Sequence, residues 1–316
     1  MRCPTLDELP PPTLGKTGFP WTRESARTSN VDLSRITIVT PSFNQAAFLE
    51  ETIRSVLLQR YPNLEYIVID GGSTDGSVEI IRKYAPWLTY WISEPDRGQA
   101  HAINKGLRVS TGEWMGWLNS DDYLLPNALH RISHFYSMSS KVEIVCGFRR
   151  EVDQHDNRIG VRVYFKPDRF SLSRVCYIAQ EATFWRRSVW QKIGELDEIL
   201  QYALDYDYWQ RMLAAQYEFY LLPCFIGVLR KHADAKGSMF ATTRTVELAR
   251  IYSRYLNTSK NEAELRHEVN PVYWYRSRLL TGLGCLGVLN SPRLAQWIVS
   301  QLTLPSSQIP NPNMDF

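Results

Sequence analysis

Between residues 36 and 119, short apolar segments alternate with segments in which apolar residues recur every three or four positions. The apolar segments are Ile36–Pro41, Glu65–Asp70, Leu88–Ser93 and Glu113–Asn119. They have the length of buried β-strands, and the intervening segments have the spacing of helices that bury one face. Strands alternating with helices predict βαβ units. We therefore expect an α/β fold with a doubly wound, mostly parallel sheet.

The rest of the chain divides around this segment. Residues 1–30 are rich in Pro and Thr without periodicity, which predicts an extended N-terminal arm. Residues 31–240 form the predicted main domain, and residues 241–316 a predicted C-terminal helical extension. The extension closes with two apolar helical segments separated at Asn290–Pro292, each too short to cross a bilayer. We expect a helical hairpin packed on the main domain. The alternative is a helix pair on a membrane surface, with three arginines facing lipid phosphates: Arg276, Arg278 and Arg293.

Composition limits the classes of function. Apolar residues make up 44% of the chain and charged residues 22%, as in ordinary globular proteins. The net charge of +3 does not favour a nucleic-acid partner, and we expect none. Five dispersed cysteines favour a reducing compartment, and the first residues lack the apolar segment of a secretory signal. We expect a cytoplasmic protein, with peripheral contact at the inner face of the cell membrane as the open alternative.

Polar clusters follow three of the predicted strands. Ser42–Asn44 follow the first strand, Asp70–Asp75 the second and Asp121–Asp122 the fourth. In doubly wound sheets, ligands bind beyond the carboxyl ends of the strands. The clusters therefore predict a single ligand site at this edge of the sheet.

The Asn119-Ser120-Asp121-Asp122 segment places two adjacent carboxylates at the mouth of the sheet. Carboxylate oxygens are the ligands that Mg²⁺ and Mn²⁺ prefer, and a bound ion would neutralise a diphosphate leaving group. The alternative is that one of the two aspartates caps the helix that Pro126 begins.

Three other loops border the predicted site. The loop from Asp70 contains glycines that permit tight turns and close approach to a ligand, and the Asp70 carboxylate is suited to a nucleobase or ribose. Asp75 is interpreted as a turn and helix cap. Pro41–Asn44 offer either base stacking or ordinary helix capping. The loop at Pro95–Gly98 carries Arg97, which suits phosphate recognition, although a solvated surface turn is the alternative.

Five motifs together resemble the family 2 glycosyltransferases. They are PSFN, VIDGGSTDGS, SEPDRGQAHAINKG, TGEWMGWLNSDD and GELDE followed by ALDYDYWQRM, and they occur in the family's order over about residues 35–235. The chain is most similar to the bacterial branch that acts on cell-surface polysaccharides. The resemblance implies a GT-A fold, a nucleotide-diphosphate sugar donor, a divalent Mn²⁺ or Mg²⁺ ion, a saccharide or lipid-linked saccharide acceptor, and inversion at the anomeric carbon.

The resemblance also implies roles for individual residues. Asp205 matches the catalytic base, with capping of its helix as the alternative. Asp121 matches the metal-binding Asp of the family's Asp-X-Asp motif, with Asp122 beside it. His232 is similar to a late family histidine near the metal, with a surface histidine as the alternative. The residues implied in nucleotide-sugar binding are Pro41, Ser42, Phe43, Asn44, Asp70, Gly71, Asp96, Arg97, Gly98, Asn119 and Ser120. On the acceptor side, we expect Glu181 and Trp209.

The chain departs from the family pattern at three positions. Asn119 replaces the first Asp of Asp-X-Asp, Gly71 replaces the second Asp of the usual Asp-Asp pair, and Leu204 stands where Glu is frequent. The change at Asn119 affects contact with the metal or the ribose. The change at Gly71 affects selectivity for the nucleobase, and the change at Leu204 affects the acceptor pocket. The Gln-X-X-Arg-Trp signature of processive synthases is absent from the sequence, which favours transfer of a single sugar.

Two other functions share some of these features. A nucleotidyltransferase also combines a doubly wound sheet with metal-binding aspartates, but it usually carries a basic Gly-rich loop after the first strand, and PSFNQAAF has no Lys or Arg. A catalytically inactive relative that serves as a scaffold or binding subunit is the second alternative. The presence of Asp70, Asp121 and Asp205 together favours an enzyme.

Overall fold

The computed structural model describes residues 3–26, 33–233, 235, 241–269 and 271–302. Within these residues the strands form one sheet in the order β3-β2-β1-β4-β8-β6-β9-β5, with β7 paired to β6. The strands are β1 (Ile36–Ser42), β2 (Leu64–Asp70), β3 (Tyr90–Ser93), β4 (Trp114–Trp117), β5 (Tyr123–Leu124), β6 (Ile144–Asp153), β7 (Arg158–Arg162), β8 (Thr183–Arg186) and β9 (Tyr220–Lys231). The helices of eight residues or more in the first part of the chain are α1 (Ala46–Leu57), α2 (Ser77–Tyr84), α3 (Gln99–Val109) and α4 (Ala128–Ser137).

The first half of the sheet is parallel, as the alternating pattern predicted. β1 pairs in parallel with both β2 and β4, and β2 pairs in parallel with β3. Every residue of β1 and β2 is buried, because helices cover both faces of the sheet. Ser42 lies opposite Asp70 in the register, so the two strands end level and their following loops start side by side.

The second half of the sheet is mixed. β8 lies between β4 and β6 and runs antiparallel to both, whereas β6 and β9 form a long parallel pair. The short β5 pairs antiparallel to β9, which brings the segment after β4 against the end of β9. This arrangement places Asp121 and Asp122, between β4 and β5, beside Arg230 and His232, at the end of β9.

Close contact between α3 and β1 depends on one glycine. A Cβ atom added to Gly106 would lie 2.4 Å from a methyl carbon of Val39, so no larger residue fits there without displacing the strand. Around this contact α3 buries Ala102, Ile103 and Leu107 against the sheet. The packing fixes the amino end of α3, and therefore the Asp96–Gly98 loop before it, above the carboxyl ends of the strands.

The later helices complete the domain. They are α5 (Arg169–Arg174), α6 (Arg187–Ile193), α7 (Leu204–Ala214), α8 (Ala241–Leu256), α9 (Glu262–Glu268), α10 (Pro271–Cys285) and α11 (Pro292–Leu302). Helix α8 packs on α5 and α7, and α11 packs on β9. Within the described part of the chain, no helix combines the length and apolar character needed to cross a membrane.

The N-terminal segment lies against α1. The buried guanidinium of Arg54 donates hydrogen bonds to the backbone oxygens of Pro10, Pro20 and Trp21. The predicted boundary between residues 30 and 31 lies outside the described residues, as do residue 240 and residues 303–316 of the predicted extension. The division into an arm, a main domain and an extension therefore stays a prediction.

Candidate active site

A cavity of about 870 Å³ opens at the carboxyl ends of β1, β2 and β4. Twelve of the residues predicted from the sequence border it: Pro41, Ser42, Phe43, Gly71, Asp96, Gly98, Asn119, Ser120, Asp121, Asp122, Glu181 and Asp205. Asn44, Asp70, Arg97, Trp209 and His232 do not border it. The cavity thus unites side chains from distant parts of the sequence, and its volume is that of a small-molecule site.

The loop after β1 presents an aromatic ring and a hydroxyl to one end of the cavity. Phe43 is 61% exposed, which is unusual for a large apolar residue, and its ring is accessible for stacking. The Ser42 hydroxyl is buried and has no hydrogen-bond partner among the described residues. Asn44 has a positive φ of 52° and accepts a hydrogen bond from the Thr74 amide through its side chain. Asn44 therefore joins two loops and does not face the cavity, which corrects its predicted place among the donor contacts.

Asp70 organises the loop after β2. Its carboxylate is fully buried and accepts hydrogen bonds from the amides of Gly72 and Ser73 at 3.0 and 2.9 Å, and from the hydroxyls of Ser73 and Ser93. Oδ2 accepts three of these bonds and Oδ1 only one, so the carboxylate holds the loop in shape. Asp70 does not border the cavity, and its direct contact with a nucleobase or ribose stays a prediction. Asp75 also serves as predicted, because it accepts bonds from the amides of Ala46 and Ser77 at the starts of α1 and α2.

The loop before α3 meets the loop after β2 at Gly71. A Cβ atom at Gly71 would lie 2.8 Å from a carboxylate oxygen of Asp96, so the glycine permits close approach of the two loops. Asp96 also accepts a hydrogen bond from the Gly98 amide at 2.7 Å. Arg97 points outward, where its guanidinium pairs with Glu198 at 3.2 Å between Nε and Oε2. In this structure Arg97 therefore forms a surface ion pair and does not face the cavity, which corrects the prediction that it contacts the donor phosphates.

The loop after β4 is held by side-chain hydrogen bonds. Gln99 donates to the Asn119 amide oxygen at 2.6 Å, and Asn119 donates to Asp122 at 3.2 Å. Asp122 also accepts the Arg230 backbone amide at 3.0 Å. Burial raises the pKa of Asp122 well above its usual value, and the nearby Asp121 and Glu181 carboxylates raise it further. Asp122 therefore supports the loop, and the prediction that it binds metal is not supported by its contacts.

Asp121 is the more exposed of the two aspartates of this loop that border the cavity. Its side chain is 20% exposed, and its Oδ2 lies 3.1 Å from Nε2 of the nearly buried His232. Neither aspartate caps the helix after Pro126, because α4 begins at Ala128 with Asn127 at its N-cap. A carboxylate beside an imidazole is a donor set that Mn²⁺ accepts, with further positions for phosphate oxygens. In the part of the chain that the structure describes, no three His, Cys, Asp or Glu side chains are grouped to hold a metal, so an ion would need ligands from the substrate.

Asp205 borders the cavity from the first turn of α7. Asp205 is half-buried at the cavity wall, and the loss of solvation there raises the pKa of its carboxyl group from 3.8 to about 6. Hydrogen bonds from backbone amides, including that of Tyr206, oppose the rise, as does the charge of Arg149, whereas the Glu181 carboxylate adds to it. A carboxylate with a pKa near neutrality is suited to general base catalysis.

Glu181 lies close to Asp205 and is almost wholly buried. Its Oε1 has no hydrogen-bond partner among the described residues, and the nearest cation is Nε of Arg149 at 3.7 Å. Arg149 also pairs with Glu151 at 2.9 Å. Arg149 was not predicted as a site residue, although the strand sequence FRRE, in which charged residues follow an apolar run, is a signal that a strand end borders a polar site.

Trp209 is part of the hydrophobic core. It is fully buried, stacks on Trp117 at 6.0 Å between ring centroids, and contacts Trp185 and Phe219 edge-on. Trp209 does not border the cavity, whereas Trp117 does, so the position of Trp209 does not support its predicted contact with the acceptor. Trp209 instead fixes α7, and so Asp205, on the sheet.

Comparison with known proteins gives a consistent result. Residues 37–194 match the model of a family described as glycosyl transferase family 2. A Rickettsia typhi protein described as an uncharacterized glycosyltransferase is 31% identical over 233 residues, which cover 70% of this chain and 71% of that protein. A Rickettsia conorii protein with the same description is 25% identical over 272 residues, covering 80% of this chain but only 43% of that protein.

Two groups of solved structures share the fold. S. aureus TarS (residues 1–349) in complex with UDP-GlcNAc has a TM-score of 0.59 and 16% identity, covering 84% of this chain and 83% of that one. The mannosyltransferase PcManGT from Pyrobaculum calidifontis, in complex with GDP-Man and Mn²⁺, has a TM-score of 0.54 and 18% identity, covering 89% and 77%. At these identities the likeness establishes the GT-A-like architecture of the sheet and its helices.

Proposed function

The chain belongs to glycosyl transferase family 2, and from this premise we propose that it transfers one sugar from a nucleotide-diphosphate sugar to an acceptor hydroxyl with inversion at the anomeric carbon. The observation that carries the proposal is that Asp121 and Asp205 border the same cavity although 84 residues separate them in sequence. Inverting transfer requires a base for the acceptor hydroxyl and a charged group that stabilises the leaving diphosphate. Asp205, with its raised pKa, would be the base, and Asp121, beside His232, would serve the diphosphate.

The donor would lie along the carboxyl edge of the sheet. Phe43 would stack on the base, and the unpartnered Ser42 hydroxyl would bond to the ribose or base. Gly71 and Gly98 would let the backbone approach the donor, since each lacks a side chain on the cavity wall. Donors bound to the neighbouring structures, UDP-GlcNAc and GDP-Man, are consistent with this class of ligand.

Asp121 and His232 would hold a divalent ion together with the diphosphate. The adjacent carboxylate and imidazole have the right donor atoms, and PcManGT was solved with Mn²⁺. When bound, Mn²⁺ or Mg²⁺ supplies positive charge that stabilises the departing diphosphate. The protein contributes the orientation of Asp121, whose backbone oxygen accepts a bond from the buried Arg230 at 3.1 Å.

Asp205 would act as the base. It accepts the proton of the acceptor hydroxyl while that oxygen forms a bond to the anomeric carbon. The bond from the anomeric carbon to the phosphate oxygen breaks on the opposite face, and the nucleoside diphosphate leaves with the electron pair. The unpartnered oxygen of Glu181 would accept a hydrogen bond from a second acceptor hydroxyl and so orient the acceptor.

The biological setting follows from the resemblance to the bacterial branch and is part of the proposal. The acceptor would be a saccharide or lipid-linked saccharide of a cell-surface polysaccharide, glycosylated on the cytoplasmic side. Two exposed apolar side chains are Leu286, in the turn after α10, and Trp297, in α11. They lie near the exposed Arg278 and Arg293 in sequence and favour contact with an anionic membrane surface. The side chain of Arg276 lies outside the described residues.

A panel of sugar nucleotides tests the activity. The purified protein is incubated with each donor, with Mn²⁺, with Mg²⁺ or with a chelator, and donor hydrolysis and thermal stabilisation are measured. We expect metal-dependent stabilisation and turnover with at least one donor, and loss of turnover in Asp205→Asn with donor binding retained. If no donor turns over with either metal while one still binds, the scaffold alternative replaces the enzyme. Flotation with phosphatidylglycerol vesicles, against phosphatidylcholine vesicles, tests the membrane contact.

A further inference from the structure

Helix α7 begins without a capping side chain of its own. Its N-cap residue is Ala203, which offers no side-chain acceptor, so the backbone amides before the helix need another partner. This matters because Asp205 is the second residue of the helix. The position of its carboxyl group depends on how the preceding turn is held.

Glu247 provides that partner from α8. Its Oε1 accepts the Gln201 amide at 2.8 Å, and its Oε2 accepts the amides of Tyr202 and Ala203 at 2.9 and 2.8 Å. The Glu247 side chain is buried, and Tyr202 and Ala203 border the cavity beside Asp205. A single carboxylate therefore holds residues 201–203, and two of these, Tyr202 and Ala203, form the cavity wall next to the base.

A second contact joins the same two helices. Asp207 is fully buried, and its Oδ1 accepts bonds from Arg254 at 3.3 Å and from the Tyr255 hydroxyl at 3.1 Å. Both donors lie in α8, two turns beyond Glu247. Helix α8 therefore contacts the chain on both sides of Asp205, through Glu247 before it and through Asp207 after it. Rotation of α7 about its axis would break one of these two contacts.

From this geometry we propose that Glu247 is a positioning residue for the transfer reaction, which sets the orientation of Asp205 from the C-terminal part of the chain. The inference rests on the proposed role of Asp205 as base. Residue 247 lies well beyond residue 194, where the family match ends, so this element is a property of the later part of the chain. The buried carboxylate also occupies the turn before α7, so those amides are not available to a substrate phosphate.

The test compares Glu247→Gln and Glu247→Ala with Glu65→Gln. Glu65 is an equally buried glutamate that accepts the amides of Thr111 and Gly112 at 2.7 and 3.1 Å, near the opposite end of β2 from the cavity. It controls for the loss of stability that any such change causes. Hydrogen–deuterium exchange of residues 201–203 is measured first, because it does not depend on activity.

We expect about tenfold faster exchange at residues 201–203 in Glu247→Gln, more in Glu247→Ala, and no change there in Glu65→Gln. The kcat should fall about 10- to 100-fold in the Glu247 variants with donor KM within about threefold, because the base is displaced while the donor site is intact. Gln keeps one acceptor oxygen, so it should lie between wild type and Ala. Unchanged exchange, or faster exchange with wild-type kcat, would overturn the proposal, as would an equal fall of kcat in Glu65→Gln. Absence of turnover in the wild type would instead reject the proposed function. The hydrogen–deuterium exchange at residues 201–203 would still show whether Glu247 holds that turn.

Discussion

Acid should slow the transfer reaction within an ordinary experimental range of pH. Asp205 must be ionised to accept a proton, and its burial raises its pKa from 3.8 to about 6. A raised pKa means that the active, ionised form is lost as the pH falls through 6, well before an exposed aspartate would become protonated. The rate should therefore be full above about pH 7 and decline below it.

The size of the decline follows from the pKa. With a pKa of about 6, the ionised fraction is about 90% at pH 7 and about 10% at pH 5, so kcat/KM should fall about ninefold to tenfold. With the ordinary value of 3.8, the fall over the same range would be below about 10%. The two cases differ by far more than the error of an initial-rate assay.

Two neighbours of Asp205 allow the cause to be tested. The Glu181 carboxylate raises the pKa of Asp205, and the Arg149 guanidinium lowers it. Glu181→Gln should therefore move the acid limb of the pH profile to lower pH, and Arg149→Met should move it to higher pH. Opposite shifts from two substitutions on the same side of the cavity would identify the titrating group by its electrostatic surroundings.

The assay is initial-rate transfer or donor hydrolysis from pH 4.5 to 8 at saturating metal. Donor affinity is measured by calorimetry at pH 5 and pH 7, so that a loss of binding is not mistaken for a loss of the base. Asp205→Asn should lower kcat by about 10²- to 10⁴-fold at pH 7, the usual contribution of a general base, and should remove the acid limb of the profile. A flat profile down to pH 5, or an acid limb that neither neighbour shifts, would refute the assignment of Asp205.

Three further outcomes are expected. Asp121→Ala should weaken Mn²⁺ affinity in the presence of nucleotide by at least about tenfold by calorimetry, because it removes one of two protein ligands; unchanged affinity would exclude Asp121. Arg230→Met should lower the free energy of unfolding in urea by about 3–5 kcal/mol, because it leaves the Glu51 carboxylate buried without the cation now 2.8 Å away; Arg230→Met with Glu51→Gln should recover part of the loss, and a cost below about 1 kcal/mol would contradict the network. Phe43→Ala should weaken nucleotide binding about tenfold without changing the urea midpoint, whereas Phe43→Trp should retain binding; equal affinity in all three proteins would argue against stacking.

The sequence pattern predicted the bounds of the first strands closely, but it predicted the later strands less well. The predicted strand Ile36–Pro41 is Ile36–Ser42 in the structure, and the predicted strand Glu65–Asp70 is Leu64–Asp70. The agreement is close because a short, continuous apolar run between two amphipathic helices is typical of a buried strand. The predicted strand at Leu88–Ser93 is shorter, Tyr90–Ser93, because a 3₁₀ turn precedes it. The antiparallel β8 was not predicted, since this strand is only four residues long and only Phe184 and Trp185 in it are apolar.

Residue depth was the main source of error within the site. The family resemblance placed Trp209 on the acceptor side, four residues after Asp205. One turn is enough to move from the cavity wall to the core, where Trp209 stacks on Trp117. Asp70 likewise does not border the cavity, and local amides and hydroxyls donate hydrogen bonds to its carboxylate.

Residues that act through long-range contacts left no local signal. Arg230 bonds to Glu51 across 179 positions and to the Asp121 carbonyl across 109. Glu247 reaches residues 201–203 only because α8 docks on α7. Motif order predicted twelve residues that border the cavity, but the groups that orient them follow from tertiary packing alone.

The proposed site contains residues from two parts of the chain, one inside the segment that matches the family model and one after it. The edge that would bind the donor, from Pro41 to Asp121, lies within the segment that matches the family model, whereas Asp205, His232 and Glu247 lie beyond residue 194. The two parts meet at Arg230, which lies near the end of β9 and holds the Asp121 loop. Substitutions around Asp205, such as those at Glu247, should therefore slow transfer without altering the nucleotide edge. A donor that binds with unchanged affinity to a Glu247 variant, while its transfer slows, is the behaviour that this division requires.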